Sequence, residues 1–179
     1  LDGAGGRGKG TGASRIAILR NWRILDSGAL YRAFAFSAHQ LEVSPDDLPG
    51  IQRVLAENDF DFGGEETGEG GIFVNGKDVT TVVRGPDAGL LASTYASQQM
   101  VRECLISRQR FERQAPGLVA DGRDMGTVVF PDATLKVFLT ATLKIRAQRR
   151  YKQLLEKGFS ATLAGVENEV SARDQKDST

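Results

Sequence analysis

The chain is short of almost everything that marks a secreted, metal-storing or membrane-embedded protein. Among its 179 residues there is one cysteine, Cys104, and one histidine, His39. A lone cysteine closes no internal disulfide. In its apolar helical context Cys104 reads as a buried, inert residue suited to a reducing compartment. His39 has no partner in sequence and reads as a surface helix residue, and no cluster of side chains has the spacing of a metal cage. Net charge is missing too, because 23 basic and 23 acidic side chains cancel. No overall field therefore favours nucleic acid or an anionic membrane, and any positive patch must be local. No apolar run approaches the roughly 20 residues of a membrane-spanning helix, and no signal segment is visible, although the sequence begins at Leu1 rather than methionine. The expectations are a cytoplasmic monomer with neither nucleic acid nor membrane as partner.

Glycine, by contrast, is plentiful and concentrated at the start. Gly3-Ala4-Gly5-Gly6-Arg7-Gly8-Lys9-Gly10-Thr11 packs glycines around one lysine, which leaves main-chain N–H groups free to close around a phosphate chain. Gly3, Gly8 and Lys9 match the phosphate-loop pattern, except that Gly10 displaces the hydroxyl residue to Thr11. Lys9 supplies a mobile ammonium. The loop and the positive end of the following helix supply fixed partial charges, so a polyphosphate is held from two sides. The context is right: Leu1-Asp2 reads as the tail of a strand, and residues 11–20 carry Ile16, Ala17 and Leu19 into a helix.

Further along, residues 22–26 read as a second strand. Asp26-Ser27-Gly28 breaks the run, as a cap or a ligand contact, and Leu30, Ala33 and Phe34 restart a helix that carries Arg32. Ser44-Pro45-Asp46-Asp47 has the composition of a helix entry, with Pro49 delaying the helix proper, which should run to Glu57. Between Asn58 and Val83 the period changes. Asp59-Phe60-Asp61-Phe62 alternates, and Ile72-Phe73-Val74 precedes Asn75-Gly76, a strong hairpin signal. A small antiparallel sheet is expected there, with the stretch 63–71 as a solvated loop. Helical periodicity returns from Pro86, breaks near Gln98-Gln99 and resumes to Pro116 on a segment bearing Arg102, Arg108, Arg110 and Arg113, read mostly as a solvated basic face. Gly117-Leu118-Val119-Ala120 has the continuous apolar character of a parallel strand. It ends in Asp121-Gly122-Arg123-Asp124, where an open α/β sheet puts its ligand crevice. Residues 135–139 read as the next strand. A helix over 143–157 follows, capped by Gly158, with Arg146, Arg149 and Arg150 on one face.

These blocks resemble the bacterial cytidylate kinases, a family of nucleoside monophosphate kinases. The resemblance lies in Gly8-Lys9-Gly10-Thr11, in Leu25-Asp26-Ser27-Gly28-Ala29-Leu30-Tyr31-Arg32, and in Gln153-Leu154-Leu155-Glu156-Lys157-Gly158-Phe159. Most specific is the run from Asp121-Gly122-Arg123-Asp124-Met125-Gly126 to Pro131-Asp132-Ala133. The resemblance implies a doubly wound α/β phosphate-loop kinase with a parallel sheet flanked by helices. Its core would be 1–26 and 114–142, its monophosphate-binding region with an inserted antiparallel sheet 27–113, and its helical lid and following helix 143–179. It also implies transfer of the γ-phosphate of ATP to CMP or dCMP with Mg²⁺. Other acceptors such as UMP, or a non-catalytic nucleotide switch, are the alternatives.

By the same resemblance, residues 3–11 with Lys9 hold ATP, and Thr11 adds a hydroxyl near the phosphates or the metal. Arg32 and Arg123 clamp the acceptor phosphate, and Arg149 and Arg150 close over the transferring group. Ser27 belongs to the CMP site; Ser93, Arg102 and Asp124 surround cytosine, and Arg173 and Asp177 lie near the ribose. The sequence departs from the family in two places. Arg7 stands where a small residue is usual. The chain stops at Thr179, where the family continues with another arginine, a last strand and a final helix, so an open sheet edge and an incomplete clamp are expected.

Overall fold

Aspartates fix where two helices of the larger unit begin. The computed structural model describes residues 1–3, 8–62, 70–156 and 158–178, with the backbone alone for Pro86 and residues 173–178. Its backbone contacts divide the chain into two units, Gly10–Gly122 and Leu1–Lys9 with Arg123–Thr179.

In the first unit, helix α1 (Lys9–Arg20) leads to strand β1 (Arg23–Asp26), which runs parallel to β5 (Leu118–Asp121), with Asp26 opposite Asp121. Asp26 Oδ1 accepts the Ala29 N–H at 3.0 Å, a cap worth about 1 kcal/mol. Helix α2 (Ser27–Gln40) therefore starts directly after the strand, ahead of the expected restart at Leu30. Asp47 does the same for α3 (Leu48–Glu57), accepting the Gly50 N–H at 3.0 Å. Pro49, not Pro45, lies in that helix's first turn, where an N–H is not needed.

The expected antiparallel sheet is present as β2 (Phe60–Asp61), β3 (Phe73–Val74) and β4 (Lys77–Asp78), in that order. Asn75 and Gly76 have φ of 52° and 75°, the left-handed pair that matches a two-residue hairpin to strand twist. The sheet stops short of Val83. Asp78 accepts the Thr80 N–H at 2.8 Å and turns the chain into α4 (Thr80–Arg84). Most of the glycine- and glutamate-rich stretch 63–71 lies outside the described residues.

Helices α5 (Pro86–Ala96) and α6 (Gln99–Phe111) break where the pattern breaks. The core is centred on α2, whose Leu30, Ala33, Phe34, Ala35 and Ala38 are buried. Phe34 meets Tyr95 edge-on with ring centroids 5.7 Å apart, and the Tyr95 hydroxyl donates to Val43 O at 2.6 Å.

Helix α1 differs from its sequence pattern. It buries Ala13, Ser14 and Ala17, while Ile16 and Leu19 are exposed. Positions 13 and 17 are four apart and share a face; Ile16 and Leu19 fall outside that stripe.

In the second unit, Asp2 forms one parallel bridge with Phe138. The strand expected over 135–139 reduces to this bridge. One paired residue does not extend a ladder, and Leu135 and Phe138 stay exposed. Residues Met125–Val129 form a single π-helical turn that the sequence reading missed, with the Phe130 N–H reaching back to Met125 O at 2.7 Å. Such turns are often found at functional sites. Helices α7 (Leu143–Glu156) and α8 (Leu163–Ser178) pack through Ala147, Leu154 and Val166. Gly158, at φ 80°, ends α7 as expected, and the next N–H, of Phe159, returns to Leu154 O at 2.9 Å.

Candidate active site

Gly3 and Gly8, the ends of the glycine-rich loop, have φ of 136° and 82°, values a side chain would strain. Ala4, Gly5, Gly6 and Arg7 lie outside the described residues. Lys9 is half-buried as the first residue of α1, followed by Gly10 and an exposed Thr11. The first N–H groups of a helix have no partner inside it, so they point at whatever anion sits before it. Arg149 belongs to this arrangement: a β-carbon on Gly8 would lie 3.6 Å from its Nη1. The Arg149 guanidinium therefore lies beside Gly8, within ordinary contact distance of where a side chain would begin. Arg150, the next residue on α7, is half-buried. Arg146 does not share their setting. It is buried, and its Nε donates to Ala141 O at 3.2 Å, so it anchors the start of α7.

At the carboxyl ends of β1 and β5, Asp26 and Asp121 are register partners. The Asp26 side chain is engaged as the α2 cap. Asp121 is buried, and a β-carbon on Gly10 would lie 3.6 Å from its Oδ2, so one carboxylate faces the first turn of α1 beside Thr11. Ser27 is buried at the start of α2. Arg32, one helical turn on, is half-buried, and its Nη1 lies 3.4 Å from Val83 O at the end of α4.

Ser93 and Arg102 are joined through the α5–α6 corner. Arg102 Nη1 donates to Ala96 O at 2.6 Å and to Ser97 O at 3.1 Å, while the Ser97 N–H donates to Ser93 O. Arg102 thus covers carbonyls at the negative end of the helix that carries Ser93. Of its three neighbours in the expected basic face, Arg110 and Arg113 are exposed. Arg108 is half-buried and held by protein partners. It pairs with the buried Glu112 at 2.6 Å and donates to Phe60 O at 3.1 Å.

In the second unit, Arg123 is exposed and Asp124 half-buried just before the π-turn. The Asp124 side chain does not cap that turn. Asp2 does, accepting the Met125 N–H on Oδ1 and the Gly126 N–H on Oδ2, both at 2.8 Å. No local pattern could reveal this, since the partners are more than 120 positions apart. Arg173 and Asp177 fall in α8, with side chains outside the description.

A cleft of about 520 Å³ lined by Trp22, Arg23, Phe60, Arg108 and Glu112 contains none of the expected site residues, and Glu112 bridges its two arginines. Cys104 is half-buried, not buried as expected; desolvation, then the neighbouring Glu103 charge, push its thiol above the ordinary value, which suits an unreactive residue.

The parallel α/β fold, the glycine loop entering a helix at Lys9 and the antiparallel insertion define a phosphate-loop kinase of the nucleoside monophosphate class. The family model described as cytidylate kinase matches residues 1–179. The chain is 49% identical over 180 residues to a cytidylate kinase of Pseudomonas entomophila (strain L48), covering 99% of this chain and 78% of that protein. It is 46% identical over 179 residues to one of Ralstonia pickettii (strain 12J), covering 100% and 75%. With one of Methylococcus capsulatus it shares 46% over 177 residues, covering 99% and 79%. The chain belongs to the cytidylate kinase family.

Proposed function

We infer that this chain is an ATP-dependent kinase acting on CMP or dCMP. A 5′-phosphate oxygen of the acceptor attacks the γ-phosphorus of ATP, the bond from that phosphorus to the β-bridging oxygen breaks, and ADP leaves with CDP or dCDP as the other product. The observation that carries this reading is the family match over residues 1–179. It disfavours the alternatives of a UMP kinase and a non-catalytic switch.

Joining two nucleotides gathers several negative charges, so the protein's work is positioning and charge neutralisation. Lys9 and the N–H groups of residues 3–11 hold the β- and γ-phosphates. Arg149, whose guanidinium neighbours Gly8, meets the developing charge on the transferring group, with Arg150 beside it on α7. Their closure excludes water, which would otherwise take the phosphoryl group. Arg32 and Arg123 grip the acceptor phosphate, where a planar fork suits paired oxygens better than an ammonium does. Ser27 assists at the start of α2, and Arg173 and Asp177 serve the ribose side.

Cytosine offers an amino donor at position four and acceptors at its ring nitrogen and carbonyl. The Asp124 carboxylate accepts from the amino group; Arg102 and Ser93 donate to the ring nitrogen and carbonyl.

Magnesium fits the residues present. Asp121 is a buried carboxylate at the first turn of α1, next to the Thr11 position, and no group of three or more metal-type ligands occurs among the described residues. Mg²⁺ needs no cage, because it uses one or two carboxylates with substrate phosphates and water. When bound, it neutralises phosphate charge. Asp121 and Thr11 are the residues that would face its shell.

The proposed division is a core of 1–26 and 114–142, a monophosphate-binding region of 27–113 and a lid with following helix of 143–179. A cytoplasmic monomer is proposed, and the balanced charge speaks against a nucleic-acid or anionic-membrane partner. No described helix is long and apolar enough to cross a membrane.

The test is ADP release coupled to a reporter, over CMP, dCMP, UMP, AMP and GMP. The highest kcat/KM is expected with CMP or dCMP. Release that no cytidine nucleotide stimulates would overturn the reading.

A further inference from the structure

Asp2 is buried and binds two separate stretches of chain, 137–139 and 125–126. Its own N–H donates to Val137 O at 2.8 Å and its carbonyl accepts from Leu139 N–H at 2.9 Å. Its carboxylate accepts the consecutive N–H groups of Met125 and Gly126. On one side Asp2 is followed by Gly3, the first residue of the phosphate loop. On the other, Met125 directly follows Arg123 and Asp124. A carboxylate gripping two consecutive N–H groups fixes position and orientation together, because moving either N–H loses a charge-assisted bond. The approach is close: a β-carbon on Gly126 would lie 3.2 Å from Asp2 Oδ2 and 3.1 Å from the Lys136 methylenes.

We infer that Asp2 is a positioning residue for acceptor recognition, holding the π-turn so that Asp124 and Arg123 are set for the cytosine and its phosphate. This rests on the reading of those two residues given above. The Asp124 carbonyl accepts from Thr127, Val128 and Val129, so its backbone is the base of the turn that Asp2 pins from the other side. Asp2 touches no substrate. It acts by making the Arg123–Asp124 stretch rigid relative to the loop entrance, so that the base is read by groups already in place.

Two variants move this contact from opposite sides. Asp2→Asn keeps the size but can turn an oxygen to only one of the two N–H groups, leaving its own N–H₂ facing the other. Gly126→Ala keeps Asp2 and introduces a methyl group against it. For each, the CMP-to-UMP ratio of kcat/KM is measured, with hydrogen exchange at the Met125 and Gly126 amides in the substrate-free protein.

The expected result is faster exchange at those amides and a ratio lowered by on the order of 10-fold or more, since small misplacements of binding groups carry penalties of this size. Tyr95→Phe, a destabilising change outside the site, is expected to leave the ratio alone. Faster exchange with an unchanged ratio would overturn the inference, as would unchanged exchange. If Asp2→Asn does not fold, Gly126→Ala decides. A wild-type protein that does not use CMP would instead sink the kinase reading, which separates the two failures.

Discussion

Asp26 and Asp121 stand opposite each other at the last position of the parallel strand pair, yet their carboxylates serve different ends. One caps α2 through the Ala29 N–H. The other, buried, faces the first turn of α1 near Gly10. A carboxylate beside the start of a phosphate-binding helix is placed to orient the water shell of a nucleotide-bound cation. Asp121→Asn should therefore raise the Mg²⁺ concentration for half-maximal rate by about 10–100-fold, the range for outer-shell partners. Initial rates across a magnesium titration check this, and an unchanged midpoint would remove Asp121 from the metal's surroundings.

Lys9→Met should lower kcat by about 10²–10³-fold, the cost of removing one fixed donor to transition-state charge. Its circular dichroism should match wild type, so that the lost rate reports the missing ammonium and not unfolding. Single-turnover transfer near the wild-type rate would end its assignment to the transferring phosphate.

For Asp124→Asn the expected change is in selectivity. An ionised carboxylate only accepts, so uracil's position-four carbonyl would face it acceptor to acceptor. Mismatches of this kind can separate substrates by factors on the order of 10⁴. Asparagine offers an oxygen or an N–H₂ and serves both bases moderately, costing CMP about 1–3 kcal/mol. The CMP-to-UMP ratio of kcat/KM should narrow. An unchanged ratio would mean that cytosine is read elsewhere.

Tyr95→Phe tests the core and not the chemistry. The lost hydroxyl leaves Val43 O without its 2.6 Å donor, at a cost of about 1–2 kcal/mol in denaturant unfolding with kcat unchanged. Burial pushes the Tyr95 phenol above its ordinary 10.0, so the folded state keeps the proton longer than the unfolded state does. That contribution is complete below about pH 10 and is lost as the pH rises through the folded-state value. Unfolding free energies measured across alkaline pH should fall less steeply in the phenylalanine variant.

Local signals were readable where both partners lie within a few residues. The Asn75-Gly76 turn, the Gly158 helix end and the break between α5 and α6 are of this kind. The same locality explains the errors at boundaries. Whether Asp26 or Leu30 begins α2 depends on one side-chain bond to Ala29, and whether 79–83 continues the sheet depends on Asp78 and Thr80. Apolar spacing alone cannot rank such alternatives.

The sequence by itself determined the kind of protein. The glycine loop ending in Lys9 and the Asp121-Gly122-Arg123-Asp124 run are contiguous, and their chemistry follows from residue type and order. Only the tertiary structure decided which charged groups are spent on architecture. Arg146 and Arg149 look alike on α7, yet one is buried against Ala141 O and the other lies beside Gly8. Arg108 looks like its solvated neighbours but is held by Glu112 and Phe60 O. Asp2 looks like the end of a strand and proves to pin Met125 and Gly126. Periodicity describes one element at a time, whereas burying a charge requires a partner that the chain brings from far away.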